Sequence, residues 1–223
     1  MFLFFSILVS YSFTPQEVAL QAEKKLLSIQ SLQAHFEQTY YSSSISTPLK
    51  EKGDLYFKKP NWMKWEYKDP EPKIYLLKED LFFEYIPEEN QITKYDLSKE
   101  GYESEILSIL SGQKGLIDNH MIEFNPFLPK NKEAWQLKLT PLEEDDEYAY
   151  FLLEINKKTW LIQKAIFFDW GGNKSEFQFS KIKTNIRLPV DVFELKVPPN
   201  VEIIGEVNYK SKYNRDDQHN HTF

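Results

Sequence analysis

The sequence predicts a mainly β protein in which one curved antiparallel sheet forms an unclosed barrel with a short helical lid. Three observations lead there. Apolar and polar residues alternate through a long series of short segments, the period-two signature of half-buried strands. The connections between these segments are short and rich in Pro, Gly, Asn and Asp, which forces neighbouring strands to run antiparallel. Only two stretches carry apolar residues at helical spacing, so helices can cover one face or mouth of the sheet but cannot build a layer of their own. With 223 residues, 41% of them hydrophobic and 16% aromatic, one domain has enough apolar side chains to fill a core or line a cavity.

The run from Phe2 to Phe13 is apolar with Ser and Tyr scattered through it. It is too short for the roughly 20 residues that cross a bilayer and suits the centre of a secretory signal. Residues 1–13 are therefore expected to be a signal peptide, 14–207 a single domain and 208–223 a polar flexible tail. Thr14-Pro15-Gln16-Glu17 has the form of a capping box with proline in the first turn, so a helix should start here. Val18, Ala22, Leu26 and Ile29 fall on one stripe of it, opposite Gln21, Lys24 and Lys25.

From Leu32 the period changes to two. Leu32, Ala34, Phe36, Gln38 and Tyr40 share one face of a strand, with Gln33, His35, Glu37 and Thr39 on the other. Strands are expected at 53–59, 62–67, 74–77, 81–86 and 91–95, separated by Lys59-Pro60-Asn61, Asp69-Pro70-Glu71-Pro72, Lys78-Glu79-Asp80 and Pro87-Glu88-Glu89-Asn90. A second helix is expected over 98–112, where Tyr102, Ile106, Ile109 and Leu110 repeat at helical spacing and Gly112 supplies a stop. Strands resume at 135–139, 148–155, 160–168, 175–183 and 191–197. Gly171-Gly172-Asn173 marks a hairpin, and Glu143 to Glu147 an acidic loop.

Composition narrows the function. A formal charge of -7 and a pI near 5.3 argue against a phosphate-binding surface, and the lysine pairs Lys24-Lys25 and Lys58-Lys59 sit among acidic residues as on a solvated face. The chain has no cysteine, which excludes disulfides, thiolate metal sites, a cysteine nucleophile and acylation of an N-terminal cysteine. No nucleophile elbow, phosphate loop or helical histidine pair with a third ligand is present, so no enzyme, cofactor or metal is expected. His35 and His120 stand alone, and His219 and His221 fall in the polar tail.

Three stretches, in order, resemble the LolA family of outer-membrane lipoprotein carriers. Residues 28–39, from Ser28 to Thr39 with Phe36 and Gln38, resemble the helix end and first strand. Residues 53–67, from Gly53 through Lys59-Pro60-Asn61 to Trp65 and Tyr67, resemble the most characteristic block. Residues 191–201, with Pro198-Pro199-Asn200, resemble the closing strand and turn. The resemblance spans roughly 15 to 204 and implies an open barrel with a helical lid; the N-terminal segment points to export to the periplasm, and a monomer suits such a shuttle. Its implied partners are acylated lipoproteins as cargo, an inner-membrane exporter complex and a LolB-type outer-membrane acceptor. The lack of cysteine separates the chain from that acceptor, which is anchored through one.

Such a carrier needs an apolar surface for acyl chains, since each methylene buried is worth about 0.8 kcal/mol. Leu55, Phe57, Met63 and Trp65 are the expected wall, and Leu26, Ile106, Ile109 and Leu110 the expected underside of the lid, though every one of these positions also fits plain core packing. Lys59 stands where the family commonly has Arg, and it is the candidate to hold the lid through helix or loop carbonyls with a single ammonium instead of a planar fork, the alternative being a solvated turn lysine. The alternative is an envelope sensor or scaffold of the same shape that binds a lipid or protein signal without ferrying it.

Overall fold

The computed structural model describes residues 13–99, 115–125, 127, 131–142 and 148–205. The expected second helix, with Ile106, Ile109 and Leu110, lies outside the described residues apart from its first two positions, which belong to a 3-10 turn at Leu97–Lys99. The acidic loop, the tail and residues 1–12 also lie outside them.

A single helix, α1 (Pro15–Ser28), opens the described chain. Thr14 caps it as expected: its hydroxyl accepts from the Glu17 amide at 3.2 Å, while the Glu17 carboxylate accepts from the Thr14 amide at 2.8 Å. The Thr14 amide and, at 3.0 Å, the Thr14 hydroxyl both donate to the Glu17 carboxylate and hold it below its usual range. The stripe Val18, Ala19, Ala22 and Leu26 is buried.

The strands are β1 (Ser31–Tyr41), β2 (Leu49–Lys58), β3 (Trp62–Asp69), β4 (Lys73–Lys78), β5 (Leu81–Ile86), β6 (Gln91–Asp96), β7 (His120–Phe124), β8 (Ala134–Pro141), β9 (Tyr150–Asn156), β10 (Ile162–Phe168), β11 (Lys174–Thr184) and β12 (Glu202–Ile204). They form one sheet in the order β12-β6-β5-β4-β3-β2-β1-β11-β10-β9-β8-β7. β12 and β7 end it without pairing to one another, so the barrel is unclosed.

The inner face carries the main core. Residues from β1, β2 and β3 on one wing and from β8 to β11 on the other join one cluster with α1. Two rings show how strongly the sheet curls. Trp65 on β3 and Phe177 on β11 are three strand spacings apart, about 14 Å along a flat sheet. Their ring centroids lie 5.5 Å apart. Gly53 allows a close approach of β2 and β3: a Cβ built there would sit 2.0 Å from the Glu66 carbonyl oxygen and 2.9 Å from the Phe36 ring, beside the register shift between Lys52 and Gly53.

Four expectations need correction. The strand expected over 191–197 is a 3-10 turn, Val190–Phe193, followed by extended chain. Pro189, Pro198 and Pro199 remove ladder donors around it, and its apolar residues point across the sheet instead of along an edge. Leu188 and Phe193 pack on Leu76 of the outer face, with Phe193 edge-on to Trp62 at 5.4 Å. Two strands, β7 and β12, were not expected, being only five and three residues long. β12 also breaks the antiparallel rule by pairing parallel to β6, because the segment after β11 crosses the outer face before reaching that edge. Finally, β10 begins at Ile162, since Asn156 turns the chain by accepting from the amides of Lys158 and Thr159, and Trp160 has φ 59°.

The outer face of β1 to β3 is polar. Asp54 accepts from Lys68 at 2.7 Å and faces His35 Nδ1 at 3.0 Å. Burial opposes its ionisation, but these two partners outweigh it and hold the carboxyl below the usual range. A depressed folded-state pKa gives stability that is complete above the unfolded value of about 3.9 and is lost as pH falls through the lower folded value.

Two outcomes are expected. Gly53→Ala should cost about 2 kcal/mol through the Glu66 and Phe36 clashes, seen as a lower urea midpoint. Asp54→Asn should flatten the acid side of a plot of melting temperature against pH between about pH 2 and pH 5, leaving the curve at neutral pH parallel to the parent's.

Candidate functional site

The expected wall residues come together. Across β2 and β3, Leu55 pairs with Trp65 and Phe57 with Met63, which puts all four on the inner face. Leu55, Phe57, Met63 and Leu26 are buried in one cluster, and half-buried Trp65 packs against it with its indole Nε1 3.3 Å from the Met63 sulfur. Ile106, Ile109 and Leu110 lie outside the described residues.

Sequence reasoning missed much of this wall. Phe36 makes edge contacts at 4.9 Å with both Trp65 and Tyr67, and Phe177 and Phe179 extend the cluster to β11. The aromatic run continues away from α1: Tyr67 lies edge-on to Tyr75 at 5.7 Å, Tyr75 stacks on Phe82 at 6.1 Å, and Phe82 meets Tyr95 at 5.8 Å. The signal was present in the alternation of β1, β3, β4 and β5. Which alternate set faces inward depends on the sheet's curl, which no single strand encodes.

Side chains pin α1 across one end of this wall. Lys59 Nζ donates to the Leu27 carbonyl at 2.6 Å, and its amide donates to the Gln30 carbonyl at 2.9 Å. Leu27 is in the last helical turn, where carbonyls lack helical partners and a cation is favoured. Asn185 clasps the same corner: its side-chain oxygen accepts from Gln30 N at 2.7 Å and its amide donates to Ser31 O at 2.7 Å. Near the helix start, Gln16 Nε2 donates to the Ile122 carbonyl at 3.3 Å, and farther along Glu23 accepts from Leu116 N at 2.6 Å. The first of these occupies a backbone oxygen of the edge strand β7.

At the opposite end of the strands the inner face becomes polar. Tyr67 donates to Gln38 Oε1 at 2.7 Å, and Lys73 donates to Glu51 Oε1 at 2.5 Å while lying 4.5 Å from the centre of the Tyr67 ring. Burial, helped by Tyr75 and Glu51, pushes the Tyr67 phenol far above its usual range, so it stays a neutral donor. Among the described residues no group of three or more His, Asp or Glu could hold a metal, and no helix is long and apolar enough to cross a membrane.

An apolar inner wall beneath a helix held by a few side-chain hydrogen bonds is a geometry for sheltering apolar ligands. The family model for the outer membrane lipoprotein carrier protein LolA matches residues 27–196. The chain belongs to the LolA family. An outer-membrane lipoprotein carrier protein of Methylobacillus flagellatus is 24% identical over 179 residues, covering 80% of this chain and 84% of its own. One from Francisella tularensis is 23% identical over 214 residues, covering 92% and 94%. Among solved structures, an uncharacterized conserved protein of Thermus thermophilus superposes with a TM-score of 0.54 at 16% identity over 85% of this chain and 97% of its own. A LolA superfamily protein from Nitrosomonas europaea matches with a TM-score of 0.44 at 14% identity over 82% and 99%.

Lys59→Met should remove the bond to Leu27, so amides in the last turn of α1 are expected to exchange hydrogen several-fold faster, with Lys59→Arg restoring protection. Equal exchange in all three proteins would mean that Lys59 holds nothing.

Proposed function

We propose that this LolA-family chain is a periplasmic carrier, exported by residues 1–13, that takes acylated lipoproteins from an inner-membrane exporter complex to an outer-membrane acceptor. The observation that carries this reading is the continuous apolar inner wall of a sheet left unclosed at β7 and β12, in a chain whose family is that of the lipoprotein carriers.

Acyl chains would lie on Leu55, Phe57, Met63 and Trp65 beneath Leu26, with Ile106, Ile109 and Leu110 supplying the rest of the lid. Three chains hold dozens of methylenes, each worth about 0.8 kcal/mol when buried, so hydrophobic transfer alone can retain the cargo. Release then needs an opposing cost. With the site empty, Leu26 packs into the wall cluster, and a loaded site must hold α1 and the wall apart; cargo passes to any acceptor whose apolar site is the better exchange. Lys59 acts in this scheme as a latch whose single bond to α1 can break without leaving a buried charge, because the ammonium is exposed. No covalent chemistry, nucleotide or cofactor is required of the carrier.

Native mass spectrometry on protein purified from its host's periplasm tests the proposal. Co-purified acylated protein is expected, with at least a tenfold loss in Trp65→Asp or Ile109→Asp variants that remain folded by circular dichroism. Protein that is always empty, and that takes up no lipoprotein in vitro, would sink the carrier reading and favour the sensor or scaffold.

A further inference from the structure

The cargo of such a carrier is amphiphilic. Its acyl chains are joined through ester and amide carbonyls to a head that continues as polypeptide, so a complete site needs an apolar wall and, where the wall meets water, hydrogen-bond donors for the carbonyls.

One group of inner-face donors that the acyl-chain wall leaves unused lies at the edge of that wall. Gln38 faces Glu51 across β1 and β2, and Tyr67 faces Lys73 across β3 and β4. These positions lie at the strand ends remote from the Lys59 turn, so they border the half of the wall that α1 does not pin. Lys73 reaches over the Tyr67 ring, across β3, to bond Glu51, whose side chain is 7% exposed against 23% for Lys73. A charge pair this sheltered pays a desolvation penalty that a pair of apolar residues would avoid, so it is a poor device for stability alone. It is, however, incompletely used. The ammonium has three donors and spends one on Glu51; the Gln38 side chain accepts from Tyr67 through its oxygen, and its amide nitrogen donates to nothing among the described residues. The Tyr67 hydroxyl, by donating to its oxygen, fixes the orientation of Gln38, and Glu51 fixes that of Lys73. Both remaining sets of donors belong to half-buried groups that meet Tyr67, itself edge-on to Tyr75, where a carbonyl oxygen gains more from a hydrogen bond than it would in open water.

We propose that Gln38, Glu51, Tyr67 and Lys73 form a head-group site, in which Lys73 and Gln38 donate to the ester and amide carbonyls of an acylated cargo whose chains run along Phe36, Trp65 and Met63. The site sets the polarity of the complex: head and polypeptide leave at the Lys73 end, and chain tips point towards α1 and Lys59. It also separates acylated head groups from bare hydrocarbon, which the wall alone would accept equally well.

The inference rests on the carrier reading, and two probes on the full chain keep their failures apart. One is a synthetic tripalmitoylated cysteinyl peptide; the other is diphenylhexatriene, an apolar fluorophore without hydrogen-bonding groups. Lys73→Met removes the donor, and the double variant Glu51→Leu/Lys73→Met removes the pair together so that no buried carboxylate is stranded; thermal denaturation checks that each is folded. The expected result is diphenylhexatriene affinity within twofold of the parent and lipopeptide affinity lower by about tenfold or more, the scale of a hydrogen bond to a charged group. Parent-like lipopeptide binding by the folded double variant would show the pair to be structural and overturn the inference. So would an equal loss of both probes, which would mark a general change in the wall. Failure of the parent to bind either probe would overturn the carrier reading and the head-group site with it.

Discussion

Among the described residues, the apolar inner face of the sheet extends well beyond the 14-residue helix α1, and most of the described architecture follows from that mismatch. A half-buried sheet must shed its apolar surface onto something. Here the sheet curls until its own wings supply the cover, so that Trp65 of β3 reaches Phe177 of β11 and the helix fills one end of the space between the wings. The curl has local requirements. A Cβ at position 53 would collide with β3, and the register shift beside it lets β2 bend towards its neighbour. The edges are protected in different ways: Gln16 takes up a carbonyl of β7, and the three residues of β12 cover β6.

The same curl divides the two faces chemically. Inside, aromatic and aliphatic side chains meet in one cluster that passes without a break from β1 to β11. Outside, charged residues such as Asp54, Lys68 and Glu66 pair with one another, and a second, smaller cluster forms where Leu188 and Phe193 of the returning chain seat on Leu76 and Trp62. The return path carries the chain across the sheet and delivers β12 parallel to β6, an arrangement that hairpin logic does not produce. In functional terms the outer strap packs on β2 to β5 from behind, which leaves their inner surfaces as the wall on which the carrier reading depends.

A carrier must hold without trapping. Dispersed apolar contacts suit this, since they are many, individually weak and indifferent to the details of the ligand. Two groups of polar side chains border the wall: Lys59, Gln30 and Asn185 at the helix corner, and Gln38, Glu51, Tyr67 and Lys73 at the other end. The first set ties the end of α1 to the strands; in the proposed head-group site the second would supply the directional bonds that an apolar wall lacks, and so give an orientation to a site made mostly of interchangeable hydrophobic residues.

Much of this was legible in the sequence because the signals were local. The Thr14 capping box, the alternation of β1, the Pro-Asn turn after Lys59 and the Gly-Gly-Asn hairpin each specify their own neighbourhood, and the structure forms all of them. Leu55, Phe57, Met63 and Trp65 were found to share a face for the same reason, since adjacent antiparallel strands with a short turn have their register set by that turn. What only the tertiary structure decided are the contacts between residues distant in the chain. The 191–197 segment reads as a strand by its alternation, yet it lies across the outer face because Phe193 gains more there than a ladder interrupted by prolines could offer. The Glu51 and Lys73 pair is silent in the sequence, for its partners sit on β2 and β4 and meet only across the ring of Tyr67 on the strand between. Alternation fixes which residues share a face, but the curl that makes one face an interior comes from burial summed over the whole sheet, and no segment contains that sum.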